Sequence, residues 1–120
     1  MLPAVARMRR RAEFTETVRR GSRAGRPLVS GHLRLRPGFP EPARVGFVVG
    51  RAVGTAVVRN RVRRQLRHLA RGYLGSLPGG SLLVLRANPR AATARQADIA
   101  AELDLVVSAL LQRQGEAQCR

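Results

Sequence analysis

The stretch RAVGTAVVRNRVRRQLRHLARGY, residues 51–73, decides how the chain is read. Taken as an α-helix that begins after Thr55, a residue type suited to the N-cap, it spaces Val58, Val62, Leu66, Leu69 and Tyr73 by four, four, three and four residues. That is one apolar stripe. At about 100° per residue, Asn60, Arg63, Arg64, Arg67 and Arg71 fall opposite the stripe, with Arg59 and Arg61 on its flanks. One side grips a core. The other presents guanidinium groups, which hold phosphate bidentately, stack on bases and never lose their proton.

An arginine-rich helix face is often simply solvated, and that reading stands beside the functional one. Against it, residues 42–97 contain no Asp or Glu, so these arginines have no carboxylate at i±4 to relieve their repulsion. A polyanion would supply the counter-charge, which points to an RNA or DNA backbone.

The rest of the composition agrees. The chain has 120 residues and a formal net charge of +16, and all 23 of its basic residues are arginine. This is the profile of a small, strongly basic single domain. Cys119 is the one cysteine, which excludes an intramolecular disulfide and a cysteine-based zinc site and fits a reducing cytoplasm. The opening MLPAVARMRRR has too short an apolar run for a signal peptide, and no later run reaches the ~18 apolar residues of a membrane span. An Arg-rich transit peptide is the rival reading of that opening.

Strands flank the basic helix. Residues 44–49 turn Val45, Phe47 and Val49 inward and leave Gly46 and Val48 on the other face, a shallow surface that an extended chain could approach. Residues 81–86 read as a nearly all-apolar buried strand. Residues 28–36 alternate Leu33 and Leu35 with His32, Arg34 and Arg36, a half-buried strand whose polar face carries only positive charge. Residues 22–27 form a connection with at most a short strand. A first helix covers residues 12–20, where Phe14 and Val18 share a face, and Gly21 ends it. Phe14 is either core or a ring at the edge of a groove where a base can stack. The last helix, residues 93–112, is the most neutral part of the chain and is assigned to structure. The expectation is an α+β domain over residues 1–120, a small four-stranded sheet with three helices on one face, and residues 1–8 and 113–120 as loose tails.

No catalytic constellation is legible. The two histidines lie on different elements, no serine or cysteine sits in a triad setting, and Gly79-Gly80 is a turn and not a phosphate cradle. His32 lacks a second ligand at metal spacing, so no metal site is expected. The polypeptide is expected to perform no bond-breaking chemistry. A ribosomal-type RNA-binding protein suits the composition equally well. A DNA-binding module reading the major groove suits it less, because arginines wrap three sides of the helix.

Three segments resemble the bacterial ribonuclease P protein component: RRRAEF at residues 9–14, RVGFVVGR at 44–51, and above all VGTAVVRNRVRRQLR at 53–67, which is similar to that family's Arg-Asn-Arg signature and its lead-in. The resemblance covers nearly the whole chain. It implies a fold like the second domain of the fifth small-subunit ribosomal protein, with a left-handed βαβ crossover. It further implies two partners, a large catalytic RNA and the precursor tRNA whose 5′ leader that RNA removes, with Mg²⁺ at the RNA active site, no cofactor on the protein, and no protein partner or membrane. Carried over by position, Arg59, Asn60, Arg61, Arg63, Arg64, Arg67 and Arg71 would contact the catalytic RNA. Phe14, Val18, His32 and Val48 would line a leader groove, with Arg10, Arg11, Arg34 and Arg51 beside it. Val18 and His32 stand where family members often carry aromatic rings, and Arg51-Ala52 replaces a common pair of lysines.

Overall fold

The computed structural model describes the backbone of residues 6–8 and 10–118 and the side chains of 6–8 and 10–113. Residues 1–5 of the expected N-terminal tail, Arg9, and residues 119–120 with Cys119 lie outside the described residues. The order of elements is α1 (Arg11–Arg20), β1 (Ser22–Gly25), β2 (Val29–Arg34), β3 (Arg44–Val48), α2 (Ala56–Ala70), β4 (Leu82–Ala87) and α3 (Gln96–Gln118).

The four strands form one sheet in the order β1-β2-β4-β3. β4 pairs antiparallel with β2, opposing Leu33 to Leu83, and parallel with β3, opposing Val45 to Leu83. A parallel neighbour requires a crossover, and α2 is that crossover. The short segment 22–27 does yield a strand, β1, paired antiparallel with β2.

Because side chains alternate along a strand, β4 divides the interior in two. Leu83 and Leu85 face Val62 and Leu66 of α2 and Ile99, Leu103, Val106 and Leu110 of α3, all at most 1% exposed, in the main core. Leu82 and Val84 face the other way and meet Met8, Phe14 and Val48. α1 therefore covers the second face, and the expectation of helices on one face is corrected. A near-continuous apolar strand such as β4 is what a sheet buried on both sides demands.

Both expected tails are also corrected. Ala6 and Met8 are buried, Arg7 bridges Val45 in parallel fashion, and the Met8 N–H donates to the Val45 carbonyl at 3.0 Å, so residues 6–8 act as a short extra edge on β3. At the other end α3 starts at Gln96, after residues expected to be helical, and runs beyond Gln112 to Gln118. The apolar stripe ends at Leu110, and the backbone helix continues past it because each added residue needs only one further hydrogen bond.

The basic helix begins as the residues dictate. Gly54, at φ +152°, turns the chain out of the 3₁₀ turn Arg51–Val53 in a conformation that side-chain-bearing residues avoid. Thr55 then caps α2 by accepting from the Val58 N–H. Of the expected stripe, Val62 and Leu66 are fully buried, while Val58, Leu69 and Tyr73 pack at the core margin. Tyr73 belongs to a 3₁₀ extension, Arg71–Ser76, and donates to Asp104 on α3 at 3.0 Å. Burial and this bond to a carboxylate push its hydroxyl pKa up to about 12.

Candidate RNA-binding surface

The outward face of α2 gathers Asn60, Arg63, Arg64, Arg67 and His68 along one groove of about 420 Å³. These side chains meet because residues three and four apart on a helix are surface neighbours. Arg63 donates to the Asn60 side-chain oxygen at 3.1 Å, which holds one guanidinium in place without consuming its charge. Arg59 is half-buried at the margin, and Arg71 is exposed where α2 gives way to its 3₁₀ extension. Arg61 points elsewhere: it donates to the Ala92 carbonyl in the connection before α3.

Ion pairing separates two populations of arginine. Arg34 pairs with Glu16, Arg36 and Arg44 approach Glu13 at 3.7 and 3.6 Å, and Arg44 also pairs with Glu41. The hydrogen bond and charge of Arg34 hold the Glu16 carboxyl below the usual carboxylate range. The strand face expected to be purely cationic is thus neutralised locally, because α1 lies across it and delivers its acids. Among the described residues no arginine of α2 has such a partner.

The second face of the sheet holds the other expected residues. Phe14 on α1 lays its ring on Gly46, where a Cβ would come within 2.4 Å of the ring. The shallow surface foreseen at Gly46 is therefore already occupied by this chain's own aromatic, while nothing lies within 4 Å of a Cβ at Gly50. Phe14 is both core and edge, since it packs with Met8, Leu82 and Val84 yet remains half-exposed. Val18, one turn on, is 45% exposed, and Val48 is half-buried beside the same cluster. Arg10 and Arg11 stand exposed at the start of α1, Arg10 beside the ion pairs of Glu13 and Glu16. Arg51 is exposed just beyond β3. Arg34 shares this face but is tied to Glu16.

His32 is more buried than a strand face open to solvent would make it, at 8% exposed. It opposes Arg23 on β1 and Val84 on β4. Its Nδ1 is buried with no hydrogen-bond partner among the described residues. Burial first, then the charges of Arg23 and Arg86, hold its pKa below the ordinary imidazole value. A base with a lowered folded pKa stabilises the fold fully above its unfolded pKa and progressively less as pH falls below it. Thermal melts should therefore show Tm falling as pH drops below the ordinary imidazole range, about 6.5, with that slope reduced in His32→Tyr; equal slopes would contradict the assignment.

Three arginines of these surfaces were not foreseen. Arg23 and Arg86 flank His32, and alternation in β4 after Leu82 and Val84 was the available signal for Arg86. Arg7 was concealed in an assumed tail.

Comparison with known proteins decides the family. Residues 2–111 match the sequence pattern of the family Ribonuclease P. The chain belongs to the ribonuclease P protein family. It is 54% identical over 105 residues to the ribonuclease P protein component of Nocardioides sp., covering 87% of this chain and 90% of that one. With the ribonuclease P protein component of Thermobifida fusca it shares 48% identity over its full length and 86% of the relative. Among solved structures, the Staphylococcus aureus RNase P protein superposes with a TM-score of 0.75 at 19% identity, over 86% of this chain and 93% of that one, a likeness of fold. The Thermotoga maritima RNase P protein gives a TM-score of 0.71 at 24% identity, over 83% and 96%. Membership makes the chain an RNA-binding component of ribonuclease P, a ribonucleoprotein of tRNA processing. The Arg-Asn-Arg triplet, residues 59–61, occupies the first turns of α2.

Proposed function

We propose that this chain is the non-catalytic protein subunit of ribonuclease P, binding the catalytic RNA with α2 and the 5′ leader of precursor tRNA with the second face of the sheet. The observation that carries this reading is the division of the arginines. Arg34, Arg36 and Arg44 of the sheet are matched by Glu13, Glu16 and Glu41, whereas the arginines of α2 are left for an external polyanion. Asn60, Arg63, Arg64 and Arg67 grip the RNA backbone, with Arg59, Arg61 and Arg71 at the margins of that contact.

The leader lies along Phe14, Val18, His32 and Val48. Arg10, Arg11 and Arg51 attract its phosphates, and Arg34 serves mainly to fix α1 on the sheet. With Val18 and His32 in place of larger rings, the stacking surface is small, and charge from Arg23 and Arg86 supplements it. No group of three His, Cys, Asp or Glu among the described residues could hold a metal. The Mg²⁺ of the reaction belongs in this reading to the RNA active site. The setting is the cytoplasm; among the described residues no helix is long and apolar enough to cross a membrane.

Phe14 provides a test on the assembled holoenzyme. Phe14→Ala should weaken binding of precursors that carry a leader by about 1 to 3 kcal/mol if a base stacks on the ring, with little change for mature tRNA. Equal losses for both RNAs, in a variant that remains folded, would reject leader contact at this position.

A further inference from the structure

A cleft of about 210 Å³ lies between α2 and the edge of the sheet, and the chain's unforeseen N-terminal segment forms one of its walls. Three guanidinium-bearing residues, Arg7, Arg63 and Arg67, converge on it, above an apolar floor that includes Phe14, Gly46 and Phe47. Among the described residues no carboxylate lines it. The acids of α1 are engaged elsewhere, Glu13 with Arg36 and Arg44 and Glu16 with Arg34.

Arg7 is not a free arm. Its neighbours Ala6 and Met8 are buried, and its own backbone bridges Val45, so the side chain leaves from a fixed point. Its Nε is buried with no hydrogen-bond partner among the described residues. A buried charged donor without an acceptor is costly. The strain is shared, since burial and then the charges of Arg7 and Arg63 lower the pKa of Arg67. Three cations gathered over an apolar floor constitute a site that an anion would stabilise.

We propose that Arg7, Arg63 and Arg67 together seat one phosphodiester of an RNA strand, which makes residues 6–8 part of the RNA grip. This assignment rests on the proposed reading of α2 as an RNA-binding face and extends it from one helix to two elements. A phosphodiester suits the site because its two unesterified oxygens can accept from several guanidinium forks at once. The cleft adjoins the α2 groove through the shared Arg63 and Arg67, and the leader surface through Phe14. The phosphodiester therefore belongs either to the catalytic RNA or to the leader.

A double-mutant cycle with the full chain tests the site. Arg7→Gln, Arg67→Gln and the double variant are titrated with a bacterial ribonuclease P RNA, and then, as assembled holoenzymes, with precursor tRNA. Each single variant should lose at least about tenfold in affinity in one of the two arms. The double variant should lose clearly less than the product of the single losses, because both residues serve one phosphate. The arm that shows this coupling identifies the strand. Losses that multiply, or no loss for Arg7→Gln in either arm, would overturn the shared site.

Arg64→Gln, on the α2 groove but outside the cleft, separates the two levels of the argument. If it weakens binding to the ribonuclease P RNA while Arg7→Gln weakens binding in neither arm, the cleft assignment fails and the reading of α2 stands. If neither weakens binding, both fail. Should Arg7→Gln melt below the assay temperature, Arg7→Lys carries the cycle: it keeps stem and charge but not the fork, and should bind a few-fold more weakly with the same coupling to Arg67.

Discussion

Replacing Arg64 and Arg67 together by glutamine is expected to lower affinity for the ribonuclease P RNA by roughly a hundredfold, as two charge-assisted hydrogen bonds to phosphate are lost. Each phosphate contact contributes about 0.7 to 0.9 to the slope of log affinity against log salt. The double variant should accordingly flatten that slope by about 1.4 to 1.8. Arg64 is exposed and Arg67 half-buried, so glutamine preserves much of the packing of the arginine stems, and the thermal melt should move little. Titration of the RNA at several salt concentrations checks this. An unchanged slope with weakened binding would mean that the two residues act through the fold and not through phosphate.

Leu66→Ala is expected to do the opposite. Leu66 is wholly buried in the core on the inner side of α2. Truncating it removes apolar contacts and leaves a cavity, which costs about 2 to 5 kcal/mol for such a site. The marginal stability of small domains makes that a large share of the total. Urea denaturation should show the loss as a lowered midpoint with an unchanged m-value. In the fraction that remains folded, the salt slope of RNA binding should match that of the native chain. The two variants thus separate the apolar side of α2, which fixes the helix, from the cationic side, which uses it. A Leu66→Ala chain of native stability would show that α2 is not docked as described.

The division of α2 was legible because helical periodicity and the lack of acids act on neighbouring residues, which a sequence displays directly. β3, β4 and the Thr55 cap were legible for the same reason. What escaped was the result of contacts between distant residues. The placement of α1 on the second face of the sheet brings Glu13 and Glu16 to Arg34, Arg36 and Arg44, and no local pattern announces that these charges meet. Gly46 read as open surface because the residue that fills it, Phe14, lies 32 positions earlier. Arg7 was overlooked because residues 6–8 have no periodicity; their order comes from one edge contact with Val45 and from burial of Ala6 and Met8. His32 looked like a solvated strand residue until Arg23 and Arg86 were found beside it. The residues proposed to bind the catalytic RNA are thus largely a property of one helix, while the proposed leader surface is a property of the assembled sheet.

The central claim is that this chain assists an RNA catalyst and does not itself cut. Its most direct test is multiple-turnover cleavage of a precursor tRNA at low Mg²⁺ by a bacterial ribonuclease P RNA, with and without the protein, beside the protein alone. The account predicts cleavage at the mature 5′ end that requires the RNA, is enhanced by the protein, and is absent with the protein alone. Cleavage by the protein without RNA, or no enhancement by a folded protein that binds the RNA tightly, would contradict it.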